Sequence, residues 1–207
     1  MIRMGQTLAS RTIAGALFAL ALTATGAALA AETYGFDKGH TEVRFVWNHA
    51  GLSTQSGEFR DFNGTVTWDR EALANSKVEV VIPAASIDSG LGALDDHLKG
   101  ADFFDVANHP EITFKSTEVR QSGIDRGAVT GDLTIRGVTR PVTLDVALVF
   151  DGEHPFAAFM PDMASVHYAG FSARGRVLRS DFGLDRGVPL VSDWIEIVIE
   201  TEMKRQE

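Results

Sequence analysis

The stretch His97–Glu118, HLKGADFFDVANHPEITFKSTE, joins a short helical start, two adjacent rings, an Asn-His-Pro turn and a strand. The strand reads by period two: Ile112, Phe114 and Ser116 point one way, and Thr113, Lys115 and Thr117 the other. Phe103 and Phe104 are different. Adjacent residues of an extended chain face opposite sides, and Asp102 and Asp105 flank this pair in a loop-like setting. Two such rings either close one end of a β-barrel or fill a core beneath a long connection.

Working outward, the alternation recurs along most of the chain. From His40, the residues Val43, Phe45, Trp47 and His49 share one side, opposite Glu42, Arg44 and Asn48. Gly51 to Gly57 reads as a Ser/Gly-rich turn. Phe59 opens a second strand that continues through Phe62, Gly64, Val66 and Trp68, and its change of parity predicts a β-bulge near Arg60-Asp61. Lys77–Ile82 follows, with Val78, Val80 and Ile82 inward and Pro83 as its stop. Between Ala84 and Lys99 the pattern is irregular, and the spacing of Leu91, Leu94 and Leu98 predicts a short helix.

Four further strands follow, at Ile112–Val119, Val129–Ile135, Val142–Phe150 and Ala169–Val177. Their inward residues include Phe114, Leu133, Leu144, Val146 and Phe171. Arg136-Gly137-Val138 is short enough for a hairpin, and Asp151–Ser165 reads as a long loop. A last strand sets Ile195, Ile197 and Ile199 opposite Glu196, Val198 and Glu200. The expected fold is all-β, with about eight antiparallel strands closing on themselves and one short helix. A barrel of that size either fills with its own side chains or holds one small ligand. The inward sets are almost wholly apolar, which suits a greasy ligand or a dry core.

Arg3 and Arg11 precede an apolar, Ala-rich run from about Ile13 to Leu22, and Ala28-Leu29-Ala30 matches a small-residue cleavage site. Residues 1–30 therefore read as a secretory signal cleaved after Ala30. Residues 31–207 read as one domain exported to the periplasm. The apolar run falls short of the ~20 strongly apolar residues that a membrane span needs. The first 30 residues hold two of the 19 basic residues and none of the 28 acidic ones, so the remainder carries a net −11. Such a charge argues against nucleic acid and anionic lipid surfaces as partners. Cysteine is absent, which removes disulfides, thiolate metal sites and thiol catalysis together.

No G-x-S-x-G, S-x-x-K, H-E-x-x-H or phosphate-binding glycine loop occurs. Asp95-Asp96-His97 could ligate a cation but reads first as a solvated helix face, so neither metal nor cofactor is expected. Asn63-Gly64-Thr65 matches a glycosylation sequon, incidental behind a bacterial-type signal. His49, inward at the end of an apolar strand, needs a hydrogen-bond partner. It reads first as a satisfied core histidine and second as a ligand contact. Arg174 and Arg176 share a face opposite Phe171, Ala173 and Val177. They suit an outward salt-bridged surface, or, with Arg179, contacts to an anionic head group at a barrel mouth.

Four segments, in order, resemble the YceI-like family of exported lipid- or polyisoprenoid-binding proteins. The first is His40-Thr41-Glu42-Val43-Arg44-Phe45 with His49 and Gly51, continued by Gly57-Glu58-Phe59 and Phe62-Asn63-Gly64. Ala85-Ser86-Ile87-Asp88 follows, with His97-Leu98 and Asp102-Phe103-Phe104-Asp105-Val106. The last are Gly131-Asp132-Leu133-Thr134 with Gly137-Val138-Thr139-Arg140-Pro141-Val142, and Arg179-Ser180-Asp181-Phe182-Gly183.

The resemblance implies a lipocalin-like barrel with an apolar tunnel for an isoprenoid or other long-chain amphiphile, and no catalytic residues. The candidate lining is the inward set above together with Leu94, Leu98, Phe103, Phe104 and Ile197. Asp95-Asp96 replaces a basic residue of the family pattern, which points to an uncharged head group. A soluble carrier is the leading expectation, with transient membrane encounters. The competing readings are a filled barrel using Phe156–Met160 as a sticky surface and an enzyme using His49. Closing the barrel removes strand edges and favours a monomer, with a dimer still open.

Overall fold

The computed structural model describes residues 31–207, so the expected export signal lies outside the described residues. Eleven strands form one antiparallel sheet. They are β1 (Glu32–Phe36), β2 (Glu42–His49), β3 (Ser53–Phe59), β4 (Asn63–Trp68), β5 (Lys77–Pro83), β6 (Ile87–Asp88), β7 (Glu111–Gly123), β8 (Arg126–Ile135), β9 (Val138–Glu153), β10 (His167–Leu178) and β11 (Trp194–Arg205). Among the described residues, a single α-helix, α1 (Gly92–Lys99), lies between β6 and β7. Around the sheet the order is β1-β4-β5-β7-β8-β9-β10-β11, and pairing of β1 with β11 closes the cylinder.

The remaining strands extend three of these staves. β11 pairs with β1 along its C-terminal half (Tyr34 opposite Arg205) and with β2 along its N-terminal half (Val46 opposite Glu196). β2 then pairs with β3, and β3 with β6. Thus β1–β2, β3–β4 and β5–β6 are single staves broken at a common level, and the barrel has eight. The first and last described residues lie together at one end, the termini end, with Tyr34 opposite Arg205. The opposite end carries α1 and the segment from Gly100 to Pro110.

Eight staves, antiparallel closure and one short helix agree with the alternation in the sequence. The differences are local. The segment read as a turn, Gly51–Gly57, is mostly β3; the turn itself is Ala50-Gly51, with φ of 55° and 72°. Ser53–Ser56 is exposed throughout because this part overhangs the barrel, so it has no apolar face to betray it. At Arg60-Asp61 there is a full break rather than a bulge, and the Arg60 amide donates to Ser86 O at 2.9 Å. β9 runs on to Glu153, which shortens the expected Asp151–Ser165 loop. The hairpin at Arg136-Gly137 holds: Ile135 faces Val138, and both turn residues have left-handed φ (52° and 74°).

Apolar side chains collect at two levels. One group, around Ala84, Ile112, Leu133, Val142, Leu144, Ala173, Phe182 and Leu184, lies toward the helix end. The other, around Tyr34, Trp68, Ala169 and Met203, lies toward the termini end. Among the described residues, no helix is long and apolar enough to cross a membrane.

Candidate functional site

Between these levels the barrel encloses a cavity of about 500 Å³, within the range of about 300–1,000 Å³ typical of small-molecule sites. Its wall follows the period-two rule strand by strand. Val43 and Phe45 come from β2, Phe59 from β3, Val80 and Ile82 from β5, Phe114 from β7 and Leu133 from β8. Leu144 and Val146 come from β9, Phe171 from β10 and Ile197 from β11. Phe62, from the stave break, and Phe104, from the helix-end connection, complete the candidates that line it.

Two glycines decide how the rings lie. A Cβ at Gly57 would come within 2.5 Å of the Phe45 ring, and one at Gly131 within 2.5 Å of the Phe114 ring. The tip of each ring lies over a bare stretch of backbone that any side chain at the glycine would occupy. This gives a physical role to two glycines of the sequence motifs.

Five lining candidates fall outside the cavity wall. Trp47 stacks on Phe45 at 5.7 Å, on the overhanging part of β2. His49, one step farther, is exposed and bridges Val191, so the expected inward histidine is corrected and the enzyme reading loses its base. Parity holds along β2, but the strand outruns the barrel and its inner side has nothing to enclose. Leu94 and Leu98 lie on α1 outside the cavity. Phe103 packs edge-on against His97 at 4.9 Å, while Phe104 turns inward against Phe59 at 5.9 Å. One ring of the pair therefore closes the barrel end, and the other holds the closing segment to its helix.

The arginines separate in the same way. Arg174 pairs outward with Glu200 at 2.8 Å, and Arg176 lies over the Trp194 ring at 4.7 Å; neither reaches the cavity. Arg179 does border it, but its guanidinium is committed elsewhere. It donates to the carbonyls of Ser192 (2.9 Å), Arg186 (2.9 Å), Val191 (3.0 Å) and Leu184. Burial pushes its pKa below the ordinary arginine value. It is a clamp for the β10–β11 connection, not a head-group ligand. Asp95, on α1, accepts from the Ser89 amide and hydroxyl at 2.7 and 2.6 Å, so it serves the turn before the helix and lies away from the cavity.

The polar end of the cavity is one that the sequence did not reveal. Arg70, just past β4, and Asp151, near the end of β9, both border it although their strands lie on opposite sides of the cylinder. Arg70 Nε and Nη2 donate to the two carboxylate oxygens of Asp151 at 3.1 and 2.8 Å. The same guanidinium donates to Tyr34 Oη at 2.6 Å and to Glu32, and it covers the Trp68 ring at 4.2 Å. His167 Nε2 donates to Asp151, and Arg205 reaches Glu32 at 2.7 Å. The result is a polar strap across the termini end, joining β1 and β4 to β9 and β10.

Its electrostatics follow from those contacts. The hydrogen bond from Arg70, supported by Tyr34 and Arg205, holds Glu32 down at about 2, and Arg70 with His167 lowers Asp151. Asp151 raises the pKa of Arg70 in return, and burial pushes Tyr34 up to about 12. Both carboxyls are lowered on folding, so the strap stabilises the fold fully above about pH 4.5 and loses that contribution as pH falls toward about 2. Glu32→Gln should flatten this part of the profile. Thermal midpoints measured across it should fall less with acid in the variant than in the parent.

A model of the YceI-like domain matches residues 34–203. Protein YceI of Escherichia coli O157:H7 is 36% identical over 199 residues, spanning 95% of this chain and 99% of its own. The crystal structure of Burkholderia cenocepacia BcnA superposes with a TM-score of 0.70 at 25% identity, covering 81% of this chain and 98% of that one. A polyisoprenoid binding domain from Saccharophagus degradans, implicated in plant cell wall breakdown, shares the fold with a TM-score of 0.59 at 13% identity, over 84% of this chain and 98% of that domain.

Proposed function

The chain belongs to the YceI-like domain family, and from that premise we propose that it is a soluble periplasmic carrier that sequesters the tail of a long-chain isoprenoid or similar lipid. The observation that carries this reading is the apolar cavity of about 500 Å³ running between the polar strap and the Phe104 closure. The Saccharophagus domain, by its name, supplies the class of chain to offer first.

The head group is uncharged in this reading. Arg70 and Asp151 at the polar end satisfy each other, so an anionic head seated on Arg70 would have to displace a carboxylate already bound by two parallel hydrogen bonds. An alcohol, quinone or amide could share the strap without breaking it. This replaces Asp95-Asp96 as the reason for expecting a neutral ligand.

Exchange is thermodynamically reasonable. Each buried CH₂ is worth ~0.8 kcal/mol against water, but a bilayer hides the tail equally well. Transfer between the two is near balance, and shape and head-group contacts tip it.

The test is native mass spectrometry of protein isolated from the periplasm of its own host, with identification of any released lipid. A co-purifying long-chain lipid with an uncharged head is the expected result. A clean unliganded mass, with no uptake of prenyl alcohol offered in detergent, would overturn the carrier reading in favour of a barrel used only as an interaction module.

A further inference from the structure

The described surface exposes large apolar side chains at both barrel ends, but the two ends differ. At the termini end, Ile124 caps the β7–β8 hairpin at 89% exposure, and Phe156, Phe159 and Met160 project from the β9–β10 connection, Phe159 at 84%. That connection is held by its own backbone: the amides of Phe159 and Met160 both donate to Phe156 O, at 2.9 and 2.8 Å. The rings are therefore presented on a built turn.

Exposed residues of this end, Gln121, Gly123, Asp125 and Arg126, also border the cavity. Gly123 and Asp125, on either side of Ile124, border the cavity, and the Leu148 amide ties the hairpin to β9 by donating to Asp125 O at 2.9 Å. Arg120 and Arg126, both exposed, flank the same tip. Apolar tips with guanidinium groups behind them match the order of a phospholipid surface, acyl chains beneath phosphates. At the other end, Leu52 and Leu190 are exposed on connections that overhang the barrel, away from the polar strap.

We infer that the termini end docks on a phospholipid bilayer, inserting Ile124 and the Phe156–Met160 turn while Arg120 and Arg126 meet lipid phosphates. The mouth beside the polar strap then opens directly onto the lipid from which a tail is drawn. This inference rests on the carrier reading for its purpose, but docking is measurable without any cargo. The net −11 of residues 31–207 favours a zwitterionic over a strongly anionic surface.

The chain has no cysteine, so single-cysteine variants can carry an environment-sensitive dye. With phosphatidylcholine–phosphatidylethanolamine vesicles, dye on I124C or F159C should shift to the blue, and dye on L52C or L190C should not. No shift at 124 and 159, or a larger one at 52 and 190, would overturn the inference. Ile124→Glu and Phe159→Glu should each weaken vesicle flotation about tenfold or more, while both still take up prenyl alcohol from detergent. If the parent floats on vesicles but takes up no prenyl compound, the carrier reading falls and the docking surface stands.

Discussion

Replacing Arg179 with methionine should lower stability by about 3 kcal/mol or more, seen as a fall of about 6–12 °C in the thermal midpoint. The side chain is 7% exposed and donates to four backbone carbonyls of one connection. Methionine fills much of the same space but donates nothing, so those acceptors either stay unpaired or draw water into the barrel end. Arg179→Lys should recover little, because one ammonium cannot span four carbonyls arranged around a planar fork. Trp194, which opens β11 just after the clamped segment, supplies a fluorescence reading of the loss. A parent-like midpoint in both variants would show that the four hydrogen bonds contribute little.

Ala173→Trp should abolish most ligand uptake without unfolding the protein. Ala173 is buried on β10, faces the cavity and lies between Val146 and Ile199 on the neighbouring strands. An indole there would occupy space otherwise taken by the tail. Losing room for about four methylenes corresponds to about 3 kcal/mol, or roughly a hundredfold in affinity. The substituted position opens into the lumen, so the strain of overfilling a packed core is largely avoided. Val149→Trp, at an exposed position on β9, is the control and should bind as the parent does. Undiminished prenyl alcohol binding by the Ala173 variant would place the tail somewhere other than this cavity.

How much of this was legible in the sequence depends on what each residue has to report. The eight staves were readable because each carries an apolar face against the lumen, and Val43, Phe45, Phe114, Leu144 and Ile197 all sit where alternation put them. β3 escaped because Ser53–Ser56 has no buried face, and β6 is too short to show a period. His49 and Trp47 were placed correctly by parity and wrongly by environment, since alternation says which side a residue faces but not whether anything stands opposite. Arg174 and Arg176 lie on the opposite parity to Phe171 and Ala173, and their contacts are with Glu200 and Trp194.

The polar strap had no local signature. Arg70 and Asp151 are 81 residues apart and meet only because the cylinder brings their strands face to face. Tyr34 and Phe36 do share a parity, and reading them as a strand would have placed Glu32 and Tyr34 at the termini end. Arg179 misled in the opposite direction. An arginine near a greasy tunnel suggests a ligand contact, but a guanidinium with five donors can be wholly occupied by a loop.

The common break in three staves divides the barrel into two mechanical regimes. On the termini side every stave is hydrogen-bonded to both neighbours, and widening the wall means separating a ladder. On the helix side β6 is paired with β3 alone, and β7 begins only at Glu111, where Ala84 N donates to Pro110 O at 2.8 Å. The seam between β6 and β7 is covered by α1 and the Phe103-Phe104 segment, held by side-chain packing, by Arg136 donating to Ala101 O at 2.8 Å and by the Arg186–Asp102 pair, with no β-ladder across it. It can part without separating a β-ladder, as a slot in a tube can be sprung by its cover while the hoop below stays round. Compliance and rigidity are thereby assigned to different ends of one continuous sheet, and a tail of greater girth would be accommodated at the covered end first.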